Sequence, residues 1–214
     1  MLSIPQKAGG GVNIDPVHKD PSGSFFYPHN DMQWLVFEKM LVARIYCDFL
    51  HDQPFEQLKE YAYAALDTPV PLGDDQRVSI KEEYQMQIPP KFEQWLAHTI
   101  HKTYSKHKPV NGILGITEDN IKISGMWVNR MHKGDQHQIH QHGGSFYSFS
   151  AYIECTDNDA PFYFIDNNQG QPVYINKESE QHILIFPSDL IHTVHRKTTD
   201  APRISVSGNV ILNT

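Results

Sequence analysis

The second half of the chain constrains the fold most, because short apolar stretches there alternate with turn signals at close intervals. The stretches are rich in Val, Ile, Tyr, Phe, Ser and Thr, and Gly, Asn, Asp and Pro separate them. The eight predicted strands span residues 121–130, 136–142, 145–155, 161–165, 172–175, 182–186, 191–196 and 203–212. Because no long helix fits between them, we expect an antiparallel sandwich or barrel rather than a parallel sheet with crossover helices.

Two helices are predicted ahead of these strands. The first begins near Asp52, which can cap it, and Pro54 suits its first turn because the missing N–H would be unpaired there. Its apolar residues recur at helical spacing until the Pro-rich segment 68–73. The second helix begins at Pro89-Pro90, carries an apolar face with spacings of three and four, and ends before 108–112.

The remaining segments divide the chain into an arm and one domain. Residues 1–30 are rich in Gly, Pro, Ser and Asn, and we expect them to form a loosely ordered arm. A strand is predicted over 41–49. The length of 214 residues then fits a single domain over 31–214, with helical support at about 52–107 and the strand-rich core at about 120–213.

Composition disfavours several classes of function and location. The net charge of −7 comes without any basic block, so no nucleic-acid-binding surface is indicated. The two cysteines, Cys47 and Cys155, lie outside any C-x-x-C pattern, which favours a reducing, cytoplasmic location over a disulfide framework. The sequence shows no signal-peptide pattern. It also contains no run of roughly 18 apolar residues, the length needed to span a bilayer.

Histidines are frequent, and their placement predicts a metal site. His140 and His142 form H-x-H on a predicted strand, so strand alternation turns them to one side and His137 to the other. Gly143-Gly144 follows and allows a tight turn. His192 lies 50 residues further on, where a β-sandwich can bring it close. Three imidazoles can hold iron, zinc or copper. The alternative is a chance H-x-H in a chain with thirteen histidines.

Arg203 opens the last predicted strand. Arg203, Ser205 and Ser207 share one face of that strand, while Ile204 and Val206 share the other. A fixed guanidinium can bind a carboxylate through two parallel hydrogen bonds, so we predict an inward-facing carboxylate clamp. The alternative is a solvated strand face with an incidental arginine.

These residues carry a resemblance to a known superfamily. The chain resembles the iron(II)/2-oxoglutarate-dependent oxygenases over roughly residues 120–213. Their pattern has H-x-D/E, a distal His, and an Arg about ten residues later followed by x-Ser, which His192 and Arg203-Ile204-Ser205 match. Gly134, six residues before His140, is similar to the prolyl-hydroxylase arrangement.

The subgroup that the chain resembles most is that of small oxygenases from marine bacteria and their phages. If the protein is encoded by a phage, the expected cytoplasmic location is the cytoplasm of the host cell. The similar stretches are Trp127-Val128-Asn129, Ser150-Ala151-Tyr152, Phe186-Pro187-Ser188, His192, Val194, Arg203-Ile204-Ser205 and Asn209.

The resemblance implies a mainly β fold, a double-stranded β-helix of the jelly-roll, cupin-like kind with N-terminal helices on one face (α+β). It also implies a dioxygenase that uses O2 and 2-oxoglutarate, hydroxylates an unidentified substrate and releases succinate and CO2. The implied Fe(II) ligands are His140, His142 and His192.

For 2-oxoglutarate, the resemblance implies binding by Arg203 and Ser205. Asn129 and Tyr152 are further candidates for hydrogen bonds to this co-substrate, although ordinary polar strand residues explain them equally well. Trp127 is interpreted as a core residue, and so is Phe186.

The sequence departs from the superfamily pattern at His142, where a carboxylate is expected. A third neutral ligand would leave the metal more positive. The alternatives are a water ligand, or a carboxylate from Asp135 or Glu154. Asp135 lies on the wrong strand face by simple alternation.

Two other functions stay open. One is a three-His metal cupin that does not use 2-oxoglutarate, because G-x5-H-x-H and P-x-D-x-x-H (187–192) are similar to cupin motifs. Segment 143–147 lacks the glutamate of those motifs, and Arg203 would have no role. The other is a non-catalytic jelly-roll binding module. The prime substrate is not readable, and the sequence leaves a homo-oligomer open.

Overall fold

The computed structural model describes residues 33–37, 40–72, 80–106, 115–166 and 169–213, so the predicted arm at 1–30 lies outside the described residues. Two helices precede most of the strands: α1 (Asp52–Asp67) and α2 (Pro90–Lys106). The strands within the described ranges are β1 (Gln33–Phe37), β2 (Met40–Phe49), β3 (Glu82–Gln85), β4 (Ile121–Met131), β5 (His137–His140), β6 (Tyr147–Glu154), β7 (Phe162–Asp166), β8 (Gln169–Val173), β9 (His182–Pro187), β10 (His192–Val194) and β11 (Arg203–Leu212).

The strands form two antiparallel sheets that face each other. The larger sheet has the order β1-β2-β9-β6-β11-β4-β3, and the smaller one has the order β5-β10-β7-β8. After β4 the chain alternates between the two sheets, except that β7 and its neighbour β8 both belong to the smaller one, an arrangement typical of a jelly-roll. The expected mainly β, double-stranded β-helix fold with two supporting helices is therefore confirmed.

Strand alternation in the larger sheet separates two apolar layers. In β9, Ile183 and Ile185 join the layer that α1 and α2 cover, while Leu184 and Phe186 join the layer between the sheets. In α2, Phe92 is fully buried, and its ring lies 5.4 Å from another aromatic ring, that of Phe149 in β6. Burying such a side chain contributes about 1.5–3 kcal/mol, so the helical face stabilises the sheet that carries the site.

The first helix begins where the sequence predicts but without the predicted cap. His51 is the N-cap residue, no side chain caps the helix, and Asp52 is already helical. The Asp52 carboxylate accepts a hydrogen bond from Gln181 Nε2 at 3.2 Å instead. An acidic side chain in the first turn still interacts favourably with the helix dipole.

Some strand limits differ from the predicted ones. β5 ends at His140, so His142 lies outside it, and β8 begins three residues before the predicted start at 172. The short strands β1 and β3 were not predicted. Within the described part of the chain, no helix has the length and apolar character needed to cross a membrane.

Candidate metal centre

The three predicted histidines converge at one end of the smaller sheet. His192 opens β10 and lies directly opposite His140, the last residue of β5. The two rings are 4.3 Å apart, and the His142 ring lies 5.0 Å from His140 and 5.2 Å from His192. One nitrogen from each ring lies within 4.8 Å of the other two. This spacing suits a single metal ion with three imidazole ligands.

Backbone carbonyls fix the ring orientation of two of these histidines. Nδ1 of His140 is 2.7 Å from the Gln138 carbonyl oxygen, and Nδ1 of His192 is 2.8 Å from the Leu190 carbonyl oxygen. Because a carbonyl only accepts, Nδ1 carries the proton in each ring. The lone pair of each neutral ring is therefore on Nε2. Metal-ligating histidines are oriented in this way by the partner of their other nitrogen.

His192 is buried among aromatic side chains, and this burial favours its neutral form. The Phe162 ring stacks on it at 5.3 Å with an interplanar angle of 10°, and Phe186 meets it edge-on at 4.9 Å. Burial, and secondly the neighbouring His140, lowers the pKa of His192 from 6.5 to about 3. A neutral imidazole is the form that binds a metal, so protonation does not oppose binding near pH 7.

His142 reaches the cluster although it lies beyond the end of β5. Its backbone N–H donates to the Ser188 carbonyl at 2.8 Å, and its ring lies 5.8 Å from Trp127. Neither candidate carboxylate takes its place. Asp135 accepts a hydrogen bond from the His132 N–H at 2.9 Å, and Glu154 accepts one from the Tyr63 hydroxyl. Within the described residues, the cluster is formed by histidines alone.

The prediction that His137 points away from the cluster is wrong. His137 lines the same cavity, and its ring lies 5.7 Å from His140. The reason is a register shift between β5 and β10. His192 pairs with His140, but Val194 pairs with His137, so a step of two positions along β10 lies opposite a step of three positions along β5. The extra residue reverses the alternation that an ideal strand would show. Nε2 of His137 lies 3.9 Å from a Glu83 carboxylate oxygen.

Arg203, Ser205 and Ser207 line the cavity that the three histidines also line. Only 3 % of Arg203 is exposed. Its guanidinium donates to the Ala160 carbonyl at 2.6 Å and to Met131 Sδ at 3.0 Å. Its Nε–H is buried and meets no acceptor among the described residues. The predicted alternation on β11 is confirmed, because the residues on its other face pack against the helices.

The other residues predicted near the co-substrate also line this cavity. Asn129 is buried, its Nδ2 donates to Ser207 Oγ at 3.4 Å, and its Oδ1 has no donor within the described residues. The Tyr152 ring centroid lies 5.9 Å from the Arg203 guanidinium. Trp127, predicted in the core, is only partly buried and lines the cavity, so that interpretation is corrected. Phe186 is buried as predicted.

Sequence reasoning missed two buried charges next to Arg203. The side chains of Asp159 and Lys197 are fully buried, and Lys197 Nζ lies 2.9 Å from Asp159 Oδ1. The same oxygen lies 3.5 Å from an Arg203 nitrogen. Asp159 stands in a turn-like D-N-D segment and Lys197 in a polar break, where charged residues are ordinarily solvated. No pattern in the sequence marks either as buried.

No protein-family model matches the chain, and no curated protein sequence matches it significantly. The fold is similar to solved structures of iron(II)/2-oxoglutarate oxygenases. One is OsALKBH1, with a TM-score of 0.58 and 15% identity over 84% of this chain and 99% of that one. Another is a Pseudomonas putida prolyl-4-hydroxylase, with a TM-score of 0.52 and 12% identity over 79% and 92%.

A third similar structure contains ligands. HygX from Streptomyces hygroscopicus, solved with nickel, 2-oxoglutarate and hygromycin B bound, has a TM-score of 0.51 and 10% identity over 79% of this chain and 83% of that one. At these identities the likeness establishes the fold. The resemblance to a marine bacterial and phage subgroup stays a prediction.

Proposed function

We propose that this chain is a non-haem iron(II)- and 2-oxoglutarate-dependent dioxygenase, which hydroxylates a substrate and releases succinate and CO2. The observation that carries the proposal is one cavity lined by three converging imidazoles and by the buried guanidinium of Arg203. Three-histidine clusters suit many metal sites. A buried arginine in the same cavity adds the charge that an anionic co-substrate requires.

The donor set fits iron(II). Imidazole is a suitable ligand for iron, and the Nε2 atoms of His140 and His192 are available because the protons lie on Nδ1. His142 would complete the set. When bound, iron(II) supplies the redox chemistry with O2 that no side chain can perform.

The protein would bind and orient 2-oxoglutarate mainly through Arg203 and Ser205. Arg203 has an uncommitted Nε–H, and Ser205 follows two residues later on the same strand face. Asn129 has an uncommitted buried carbonyl oxygen within the described residues, which could accept from a hydroxyl or water. The surrounding aromatic side chains, Phe162 and Phe186, limit the access of water and so strengthen these polar contacts.

A set of three neutral ligands has an electrostatic consequence. A carboxylate ligand would reduce the charge of the centre by one, whereas His142 leaves the full charge of a divalent ion. The centre would therefore attract the keto-acid end of 2-oxoglutarate strongly, while Arg203 binds the distal carboxylate. HygX shows that a protein of this fold can hold nickel and 2-oxoglutarate together.

The direct test is turnover of 2-oxoglutarate. The iron(II)-loaded protein should form succinate in an O2-dependent manner, slowly alone and faster with a prime substrate found by screening. Arg203→Ala should abolish succinate formation from 2-oxoglutarate, because the co-substrate no longer binds, while the metal content stays near that of the wild type. Normal 2-oxoglutarate decarboxylation by Arg203→Ala would show that the clamp is assigned wrongly.

A three-His metal enzyme that does not use 2-oxoglutarate is the second candidate. The observation in its favour is the absence of a carboxylate from the cluster, within the described residues. Under this alternative, the protein would bind metal but form no succinate, and Arg203→Ala would leave metal-dependent activity unchanged. Metal binding without turnover of any keto acid or other small substrate would instead favour a non-catalytic module.

A further inference from the structure

Next to Arg203, and not among the residues that line the cavity, the buried carboxylate of Asp159 lies between two cations. Its Oδ1 is 2.9 Å from Lys197 Nζ and 3.5 Å from an Arg203 nitrogen. Exposed fractions are 0% for the Asp159 and Lys197 side chains and 4% for that of Arg203. Charges so far from water interact strongly, so their balance affects any ion that binds next to them.

Lys197 directs its donors at this cluster and not at the cavity. An ammonium group has three N–H donors. Lys197 Nζ donates to Asp159 Oδ1, to Thr156 Oγ1 at 3.4 Å, and to Thr199 Oγ1. Lys197 also does not line the cavity that Arg203 and the histidines share. It is therefore placed to act through Asp159 rather than on a ligand.

Asp159 is held firmly in this position. Its Oδ1 also accepts from the Ala160 N–H at 2.7 Å, and its Oδ2 accepts from the Thr156 N–H and hydroxyl at 3.3 and 3.1 Å. Arg203 has only the longer 3.5 Å approach to this carboxylate, and its Nε–H meets no acceptor among the described residues. Lys197 is the closer cation and donates a hydrogen bond to this carboxylate, so it interacts with Asp159 more strongly than Arg203 does.

We propose that Lys197 is a positioning residue for the co-substrate clamp: it neutralises Asp159 and leaves the Arg203 charge for the carboxylate of 2-oxoglutarate. The three side chains carry two positive charges and one negative charge, a net charge of +1 that one bound carboxylate balances. Without Lys197, Asp159 would pair with Arg203 alone. An incoming carboxylate would then compete with Asp159 for the guanidinium and be repelled by it.

The inference rests on the proposed function, and it predicts a pattern of affinities across charge variants. Binding of 2-oxoglutarate is measured by calorimetry on nickel(II)-loaded protein, which avoids turnover. Lys197→Met should weaken binding by roughly tenfold or more. The double variant Lys197→Met/Asp159→Asn restores the net charge of +1 and should return to within about threefold of the wild type. Asp159→Asn alone should bind at least as tightly as the wild type.

Lys133→Met is the matched control, because Lys133 pairs with Asp200 at 2.8 Å on the surface. It should leave the affinity unchanged. Nickel affinity, measured separately, should be the same in every variant.

The outcomes separate this inference from the proposed function. If the wild type binds nickel but not 2-oxoglutarate, the proposed function fails. If the wild type binds 2-oxoglutarate and Lys197→Met binds it equally well, only the role of Lys197 fails. A double variant as weak as Lys197→Met would also overturn that role, because it would indicate structural damage and not charge. If Lys197→Met does not fold, Asp159→Asn decides, and a tenfold loss of affinity there overturns the inference.

Discussion

Replacing Arg203 with methionine should weaken 2-oxoglutarate binding by a large factor and leave metal binding intact. Arg203 is 3% exposed and has a buried Nε–H without an acceptor among the described residues. A carboxylate bound to it would accept two charge-assisted hydrogen bonds of about 1.5–3 kcal/mol each. The sum of about 3–6 kcal/mol corresponds to a loss of roughly 10²- to 10⁴-fold in affinity. The Lys197–Asp159 pair at 2.9 Å would remain, so the substitution leaves no buried carboxylate unpaired.

The assay is titration of metal-loaded protein with 2-oxoglutarate, with metal content measured on the same samples. Arg196→Met is the control, because Arg196 is exposed and donates to the Gly134 carbonyl outside the site. The control should bind like the wild type. If Arg203→Met keeps an affinity within about threefold of the wild type, the guanidinium does not hold the co-substrate, and the reasoning from its burial is refuted.

Three further predictions concern the metal ligands, acid stability and packing. His192→Ala should lose stoichiometric iron, whereas His195→Ala, an exposed residue, should keep it; metal analysis after gel filtration decides. The pKa of His192 is lowered from 6.5 to about 3, so between these two pH values the unfolded chain binds a proton that the folded protein does not. The metal-free protein should therefore lose up to about 5 kcal/mol of stability as the pH falls from 6.5 to 3, measured by urea unfolding, and a flat profile would contradict this. Gly208→Ala should destabilise by about 1–3 kcal/mol because its Cβ would lie 2.6 Å from Phe149 Cζ, whereas Gly143→Ala has open space and should be near neutral.

The fold class and most helices and strands could be predicted from the sequence, because the spacing of apolar residues shows which side of each element is buried. The strand 203–212 was predicted with its limits, and the two faces of that strand were assigned to the correct sides. Both helices begin and end near the predicted residues, because prolines mark their limits. The short strand β3 (EEYQ) was missed because four mostly polar residues carry little periodicity, and β1 (QWLVF) was missed because a short apolar run does not by itself distinguish a strand from a buried helix segment.

The site was predictable as a set of residue types but not in its geometry. His140, His142 and His192 come together as expected. Strand alternation was expected to turn His140 and His142 to the same side, but His142 lies beyond the end of β5. Its position is instead fixed by the hydrogen bond from its backbone N–H to the Ser188 carbonyl. His137 was misplaced because a register shift depends on the pairing of two strands, which one strand's sequence does not reveal.

The buried charges of Asp159 and Lys197 near the site could not be predicted from sequence patterns. Charged residues in turns are ordinarily exposed, and only the packing of the two sheets shows that Asp159 and Lys197 are not. Their effect on Arg203 depends on distances of 2.9 and 3.5 Å, which no spacing along the chain implies.

The central claim is that three histidines and Arg203 form one site for a metal and 2-oxoglutarate. The most direct measurement is an anaerobic titration of the iron(II)-loaded protein with 2-oxoglutarate, followed by visible absorption. A metal-to-ligand band should appear and saturate at stoichiometric 2-oxoglutarate, fail to form in His192→Ala, and require much higher concentrations in Arg203→Met. An unchanged spectrum at millimolar 2-oxoglutarate, with iron demonstrably bound, would contradict the claim.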